Sequence, residues 1–241
     1  MIVTNRFVFI HLHRTGGQFI RSLLFKHFPE AREIGYHFPL SLLPRIYQEH
    51  PVIGFVRDPV DWYRSWYAFN KPKPRSPIFA FASDDGRLGF EQTVCNMLFL
   101  GAGDAGSLSL KTRMVEALPN SILGNRGAGI TRQDLAAFND DHIGYYSWLV
   151  RRMYAGQFDS PRLHLGRFER LHDELLRLLT RVGGGSSADL VRDIMETPAI
   201  NACREIEKVT TISNEIMQLI TERERWLPGL SEDYRFGVNA P

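Results

Sequence analysis

Short runs of β-branched and aromatic residues alternate along this chain with segments whose apolar positions repeat at helical spacing. The run at 6–12 precedes a segment in which Ile20, Leu23, Leu24 and Phe28 are spaced i, i+3, i+4 and i+8, as on the buried face of a helix. The pattern predicts strands at 6–12, 32–36, 51–57 and 162–168, helices at 17–28, 59–69, 169–182, 188–196 and 212–225, and a broken helix around Pro44 at 40–47.

This alternation predicts an α/β fold, a parallel β-sheet flanked by helices. The region 78–160 interrupts it with helical patterns alone, at 89–99, 108–118, 131–139 and 143–155. Their glycine-rich connections, Gly101–Gly106 and Gly124–Gly129, suit a mobile lid and equally suit plain disorder. We therefore predict a single domain, 1–241, with a helical insertion or lid at about 78–160.

The segment between the first strand and its helix reads His-Leu-His-Arg14-Thr15-Gly16-Gly17-Gln18-Phe19. A strand, a tight glycine turn and a helix N-terminus in this order form an anion site from backbone N–H groups, since the helix dipole adds partial positive charge there. Arg14 adds a fixed charge with bidentate hydrogen-bonding geometry. The loop is not a Walker A motif, because Gln18 stands where that motif has lysine.

A second segment, Arg57-Asp58-Pro59 followed by Ser65, repeats this arrangement. A buried strand ends in a cation, Asp58 is placed to cap the next helix, and Pro59 occupies its first turn. Parallel sheets bind ligands beyond the carboxyl ends of their strands. Both segments are predicted to lie at such ends.

These residues resemble the phosphate-binding segments of sulfotransferases. The first segment is similar to that family's 5′-phosphosulfate loop, P-K-T-G-G/T-T, and the second to its 3′-phosphate site, R-[DN]-P-x-(x)₄-S, with Arg57 and Ser65 at the family's spacing. The similarity continues at Leu163–Leu176, which resembles the family's V-G-R-x-E-x-L segment. It is closest to carbohydrate-type and bacterial sulfotransferases, so the resemblance implies a sulfotransferase fold of the P-loop NTPase-like kind.

The resemblance implies transfer of a sulfuryl group from 3′-phosphoadenosine 5′-phosphosulfate (PAPS) to a hydroxyl, or an amine, of a carbohydrate or other small molecule. The 5′-phosphate would be bound by Arg14, Thr15 and the Gly16–Phe19 segment, which includes Gly17 and Gln18. The 3′-phosphate would be bound by Arg57 and Ser65. Transfer of this kind requires no metal, and no cysteine and histidine residues have the spacing of a zinc site.

Two residues depart from the family's pattern. Arg14 replaces the usual lysine, so electrostatic stabilisation of the leaving group is retained but proton donation to it is lost. Gln18 replaces the usual threonine or serine. Two alternatives therefore remain open, an inactive sulfotransferase-fold binding module and a P-loop-related, ATP-dependent small-molecule kinase.

A base must take the proton of the acceptor. We predict that His37, in the Gly35–Leu40 segment that resembles a G-H-x-P element of related sequences, is this base, because histidine titrates near working pH. The alternative is that His37 is a structural or capping histidine. His13, beside Arg14, is the second candidate. Arg167 and Glu169, at the end of the last predicted strand, either form a structural ion pair or contact the acceptor.

The composition of the chain limits the kinds of binding partner and the cellular location that we expect. The net charge of +2 on 241 residues is too small to indicate nucleic-acid binding. No apolar run approaches the ~20 residues of a membrane span, and no secretory leader pattern is present. We therefore expect a cytoplasmic, bacterial enzyme. The sequence leaves the acceptor and the oligomeric state open.

Overall fold

A five-stranded sheet organises the first of two compact units into which the chain divides. The computed structural model describes residues 1–72, 76–122, 129–185, 187–197 and 210–224. The first unit comprises Met1–Asp58 and Arg152–Ala202, and the second comprises Pro59–Arg151 and Cys203–Pro241.

The strand order is β3-β1-β2-β4-β5. Strands β2, β4 and β5 are mutually parallel, whereas β1 is antiparallel to both β2 and β3. The strands are β1 (Ile2–Val3), β2 (Val8–Ile10), β3 (Arg32–Glu33), β4 (Val52–Val56) and β5 (Leu163–Arg167).

The α/β class is confirmed, but the prediction of a parallel sheet is wrong, because the sheet is mixed. A turn at Thr4 reverses the chain between β1 and β2. The Thr4 hydroxyl donates to the Phe7 carbonyl at 2.9 Å and accepts from the amides of Arg6 and Phe7 at 3.1 and 3.0 Å. The resulting hairpin adds an antiparallel strand that is too short to show a period in the sequence.

Helices occupy most of the predicted positions, and Ala188–Glu196 matches its prediction at both ends. The short helix at Pro77–Ala82 was not predicted, and Leu40–Tyr47 contains two 3₁₀ turns, Leu40–Leu42 and Arg45–Tyr47, on either side of Pro44. Residues 124–128 of the predicted connection at Gly124–Gly129 lie outside the described residues. The helices are α1 (Gly17–His27), α2 (Pro59–Asn70), α3 (Pro77–Ala82), α4 (Phe90–Leu98), α5 (Ala105–Ala117), α6 (Arg132–Ala136), α7 (Tyr145–Met153), α8 (Leu171–Arg181), α9 (Ala188–Glu196) and α10 (Asn214–Arg223).

Apolar side chains from the sheet and from α1, α8 and α9 form the core of the first unit. Phe9 and Phe55 come from neighbouring strands, and Ile20, Leu24 and Leu178 come from helices. This burial removes apolar surface from water, which is the main driving force for the fold. The core therefore holds α1 against the strand that precedes it.

The second unit has an aromatic core around α2 and α7. Trp62 stacks on Tyr146 with 4.5 Å between ring centroids, and both side chains are fully buried. The buried carboxylate of Glu224 accepts hydrogen bonds from the Tyr63 hydroxyl at 2.5 Å and from the Ser147 amide at 2.7 Å. Glu224, far away in the sequence, thereby supplies a hydrogen-bond acceptor for an amide N–H in the first turn of α7.

None of the helices in the described ranges combines the length and apolar character needed to traverse a lipid bilayer.

The aromatic residues at helical spacing near 62–67 and 145–146 are core residues, since Trp62, Tyr63 and Tyr146 are fully buried.

Gly54, in the middle of β4, leaves room for a side chain that crosses the strand. The Tyr154 hydroxyl donates to the Phe55 carbonyl at 3.0 Å, and a Cβ at position 54 would overlap that hydroxyl and the ring. Glycine within a central strand thus marks a close approach.

We expect Gly54→Ala to lower the free energy of unfolding by about 2–3 kcal/mol, because a buried ring and its hydrogen bond must move. Gly103→Ala is the matched control, because a Cβ there meets no atom within 4 Å. Urea unfolding of both variants measures the difference. Equal stabilities for the two variants would contradict the packing described for Tyr154.

Candidate functional site

Three parallel strands bring three polar segments to one edge of the sheet. Ile10 pairs with Gly54 and Gly54 pairs with Leu165, so β2, β4 and β5 end close to one another. Beyond these ends lie the loop at 11–16, Arg57 with Asp58, and the Phe168–Arg170 turn. This edge is the candidate functional site.

The glycine loop after β2 ends at the N-terminus of α1. Gly16 is the N-cap residue and has φ 76°, in the left-handed region, while Arg14 has φ 62°. For a non-glycine residue such as Arg14, this conformation costs about 1–2 kcal/mol. The N-cap has no capping side chain, and the first turn of α1 has no acidic residue, so its amide N–H groups are available to an anion.

Thr15 and Gln18 contact other parts of the protein. Thr15 is buried, and its hydroxyl donates to the Leu12 carbonyl at 3.0 Å. The Gln18 amide nitrogen donates to the Tyr36 hydroxyl at 2.5 Å. Any contact of the 15–18 segment with an anion in this conformation would therefore come mainly from its backbone N–H groups.

The two loop glycines are required for packing as well. A Cβ on Gly17 would overlap the imidazole of His11, and a Cβ on Gly16 would lie 2.7 Å from a Leu171 methyl group and 3.2 Å from the Phe168 ring. The glycines therefore let the buried His11 ring and the residues after β5 pack directly on the loop.

Arg57 lies against the loop. Its guanidinium donates to the Arg14 carbonyl at 3.4 Å, and its Cζ atom stands 4.3 Å from the centroid of the Phe168 ring. A cation at this distance over an aromatic face is stabilised by about 0.5–2 kcal/mol. Arg57 thus brings a second positive charge to the glycine loop.

Glu169 contacts the backbone that follows Arg57. Its Oε1 atom accepts a hydrogen bond from the Asp58 amide at 2.7 Å. The carboxylate therefore ties the end of β4 to the turn that follows β5. This contact is a structural one, and it leaves the predicted role of Arg167 and Glu169 toward an acceptor untested.

Ser65 belongs to α2 in the second unit and is 2% exposed. Arg57 belongs to the first unit. The assignment of both residues to one phosphate stays a prediction from the sequence.

His11, His13 and His37 form a histidine cluster beneath the loop. The His13 and His37 rings stack with centroids 3.6 Å apart, and the His11 and His37 centroids are 4.3 Å apart. His37 is 6% exposed and has φ 54°, and its Nδ1 atom lies 2.7 Å from the His11 carbonyl oxygen. Since a carbonyl only accepts, Nδ1 carries the proton, and Nε2 of neutral His37 has a lone pair.

Burial keeps the two inner histidines neutral. It lowers the pKa of His11 to about 3, with the neighbouring His13 as a second cause. Burial also lowers the pKa of His37 well below its ordinary value, and His13 and His11 lower it further. In the described ranges, no group of three or more histidine, cysteine, aspartate or glutamate side chains is arranged to hold a metal ion.

The sequence predicted site roles for Arg14, the two loop glycines, Arg57 and His37. The structure places these residues at one edge of the sheet or directly beneath the glycine loop at that edge. The sequence did not indicate the parts played by His11, Tyr36 and Phe168. Tyr36 directly precedes His37 in the sequence, and Phe168 directly follows Arg167. This adjacency to a candidate site residue is the sequence signal that could have pointed to them. Their contacts join segments far apart in the chain.

No model of a known protein family, no curated protein and no solved structure matches this chain. The resemblance to sulfotransferases accordingly rests on the two phosphate-type segments and on Leu163–Leu176.

Acid should destabilise the protein through the buried histidines. Their pKa values are lower in the folded state than the ordinary value of 6.5, so the unfolded state binds more protons below about pH 6.5. Each such histidine therefore lowers the free energy of unfolding by up to about 1.4 kcal/mol per pH unit as the pH falls below that value. For His11 this loss continues to about pH 3.

His37→Asn tests this effect, because asparagine tolerates a positive φ and supplies an N–H donor for the His11 carbonyl. Urea unfolding from about pH 7.5 to 4.5 should show, below about pH 6.5, a slope shallower by up to about 1.4 kcal/mol per pH unit than that of the unchanged protein. His142→Asn, at an 85% exposed side chain, is the control and should keep the original slope. Parallel curves for His37→Asn and the unchanged protein would contradict the burial of a neutral His37.

Proposed function

We propose that this protein is a PAPS-dependent sulfotransferase with a P-loop-like nucleotide fold. The observation that carries the proposal is the contact of Arg57 with the glycine loop, which joins two cationic segments at the carboxyl ends of parallel strands. Ligands of parallel sheets bind at such ends. A donor with two separate phosphate groups suits two cationic segments.

The donor would bind by its anionic groups. The 5′-phosphosulfate would lie over the amides at the start of α1, with Arg14 as the nearest cation. Arg57, with Ser65 as the sequence predicts, would bind the 3′-phosphate, and this contact would distinguish PAPS from ATP, which has no phosphate there. Hydrogen bonds from a charged donor contribute about 1.5–3 kcal/mol each.

The reaction would proceed by in-line attack. The acceptor oxygen forms a bond to sulfur, the bond from sulfur to the bridging phosphate oxygen breaks, and the electron pair leaves with adenosine 3′,5′-bisphosphate. Arg14 would stabilise the negative charge that develops on the leaving oxygen, without giving up a proton. The acceptor would be a hydroxyl, or an amine, of a carbohydrate or other small molecule.

His37 would take the acceptor's proton at Nε2, since its Nδ1–H donates to the His11 carbonyl. This contact orients the ring and sets its tautomer, as a base requires. Burial lowers the pKa of His37 and so weakens it as a base in the absence of ligand. The negative charge of a bound donor would favour the protonated form again.

A non-catalytic binding module is the second candidate. The side chains of Thr15 and Gln18 are held by Leu12 and Tyr36, which favours backbone binding of an anion over side-chain chemistry on it. Binding of adenosine 3′,5′-bisphosphate without turnover, across a broad set of acceptors, would favour this candidate. An ATP-dependent kinase would instead show a larger thermal shift with ATP and Mg²⁺ than with the bisphosphate.

The direct test is incubation with labelled PAPS and candidate acceptors, together with titration of adenosine 3′,5′-bisphosphate by calorimetry. Transfer of label supports the enzyme. Failure of the bisphosphate to bind at concentrations on the order of 1 mM, the weak end of specific affinity, would reject the proposal.

Arg57→Ala should weaken binding of the bisphosphate by about 10–150-fold, because one charged hydrogen-bond donor is removed from an anion. Arg87→Ala is the control, since that side chain is 73% exposed and pairs only with Asp84 among its described contacts. Calorimetric titration of both variants gives the dissociation constants. An unchanged affinity for Arg57→Ala would remove Arg57 from the site.

His37→Asn should lower kcat by about 10²–10⁴-fold while the affinity for the bisphosphate changes little, because the variant keeps the contact with the His11 carbonyl but has no proton acceptor. Single-turnover measurements with saturating donor separate the chemical step from binding. If kcat is unchanged, the base is a different group, and His13→Gln becomes the next variant to measure.

A further inference from the structure

The histidine cluster lies directly against the glycine loop. His13 immediately precedes Arg14, the His11 ring fills the space that a side chain on Gly17 would take, and His37 donates to the His11 carbonyl. A change of charge in the cluster therefore acts on the segment that would hold an anion.

The cluster can hold one proton but not two. Ring centroids are 3.6 Å apart for His13 and His37 and 4.3 Å apart for His11 and His37. Two positive charges at such distances, away from water, repel strongly, and groups that interact in this way titrate as one unit. His11 and His37 are buried, whereas His13 is partly exposed, so His13 is the ring of the cluster that solvent reaches.

The described groups that act electrostatically on His11 and His37 are cationic groups or other histidines. His11 faces His13, Arg21 of α1 and the Met1 amino group at the start of β1. His37 faces His13, His11 and the same amino group. Arg21 itself forms an ion pair with Glu33 of β3 at 2.7 Å.

We infer that anion binding at the glycine loop is coupled to the uptake of one proton by the His11, His13 and His37 cluster. This inference rests on the proposed function, in that an anionic group must occupy the loop. The anion supplies negative charge beside the cluster, and so stabilises an imidazolium there.

Coupling of this kind is reciprocal. If the anion promotes protonation, a fall in pH tightens anion binding by up to about tenfold per pH unit. The same proton occupies the histidine cluster, which includes the proposed catalytic base. Turnover should therefore decline over the pH range in which the affinity for the anion rises. The inference therefore predicts that, as the pH falls, the affinity for the anion rises while kcat declines.

Calorimetric titration of adenosine 3′,5′-bisphosphate in two buffers of different ionisation enthalpy counts the protons taken up. At about pH 7.5 the phosphate groups of the nucleotide are mostly dianionic, since their second pKa is about 6, and the protein accounts for most of the uptake. The unchanged protein should take up a fraction of a proton per nucleotide. His13→Gln should abolish this uptake, and His142→Gln, at an exposed histidine, should keep it.

Sulfate is the second probe, because its charge stays constant over this range. The inference is supported if proton uptake occurs with either anion and is lost in His13→Gln. The variant must also keep the thermal unfolding midpoint of the unchanged protein. Binding without proton uptake, or with equal uptake in His13→Gln, overturns it. Uptake with sulfate but no binding of the bisphosphate would retain the inference and reject the sulfotransferase, whereas failure of both anions to bind overturns both.

Discussion

The candidate site depends on the parallel pairing of β2, β4 and β5. The register of these strands places the glycine loop, Arg57 and Phe168 at one edge of the sheet. Side chains alternate between the two faces of a strand, so a shift of one residue in the β4 register would turn every side chain of that strand to the opposite face. Arg57 would then lose both the Arg14 carbonyl and the Phe168 ring. The backbone ladder is thus what holds the two cationic segments together.

Two rings pack against the glycine loop, the buried ring of His11 and the partly buried ring of Phe168. His11 packs against Gly17, and Phe168 packs against Gly16 and Arg57. Such packing fixes the backbone N–H groups before any ligand arrives, which reduces the ordering that binding requires. The same packing buries titratable groups directly under the loop. Pre-organisation and sensitivity to protonation therefore have one structural origin here.

Local signals predicted much of the fold, and long-range contacts account for the rest. The start of α1 at Gly17 and the position of Arg57 after β4 follow from apolar runs and glycine or proline turns that lie within a few residues. Strand β1 has two residues, too few for a period, so the mixed sheet was not predictable. The contacts of His11 with His37 and of Arg57 with Phe168 join distant segments, and no local pattern encodes them.

Both units are built from segments that are discontinuous in the chain. Residues 57–162 separate β4 from β5, its parallel neighbour, and Glu224 bonds to the start of α7. During synthesis, β4 must therefore wait for its partner strand until the whole intervening segment has left the ribosome. The exposed edge of β4 is open to wrong pairing in that interval. Slow translation of residues 57–162, or a chaperone that covers this edge, would consequently affect the yield of native protein more than its final stability.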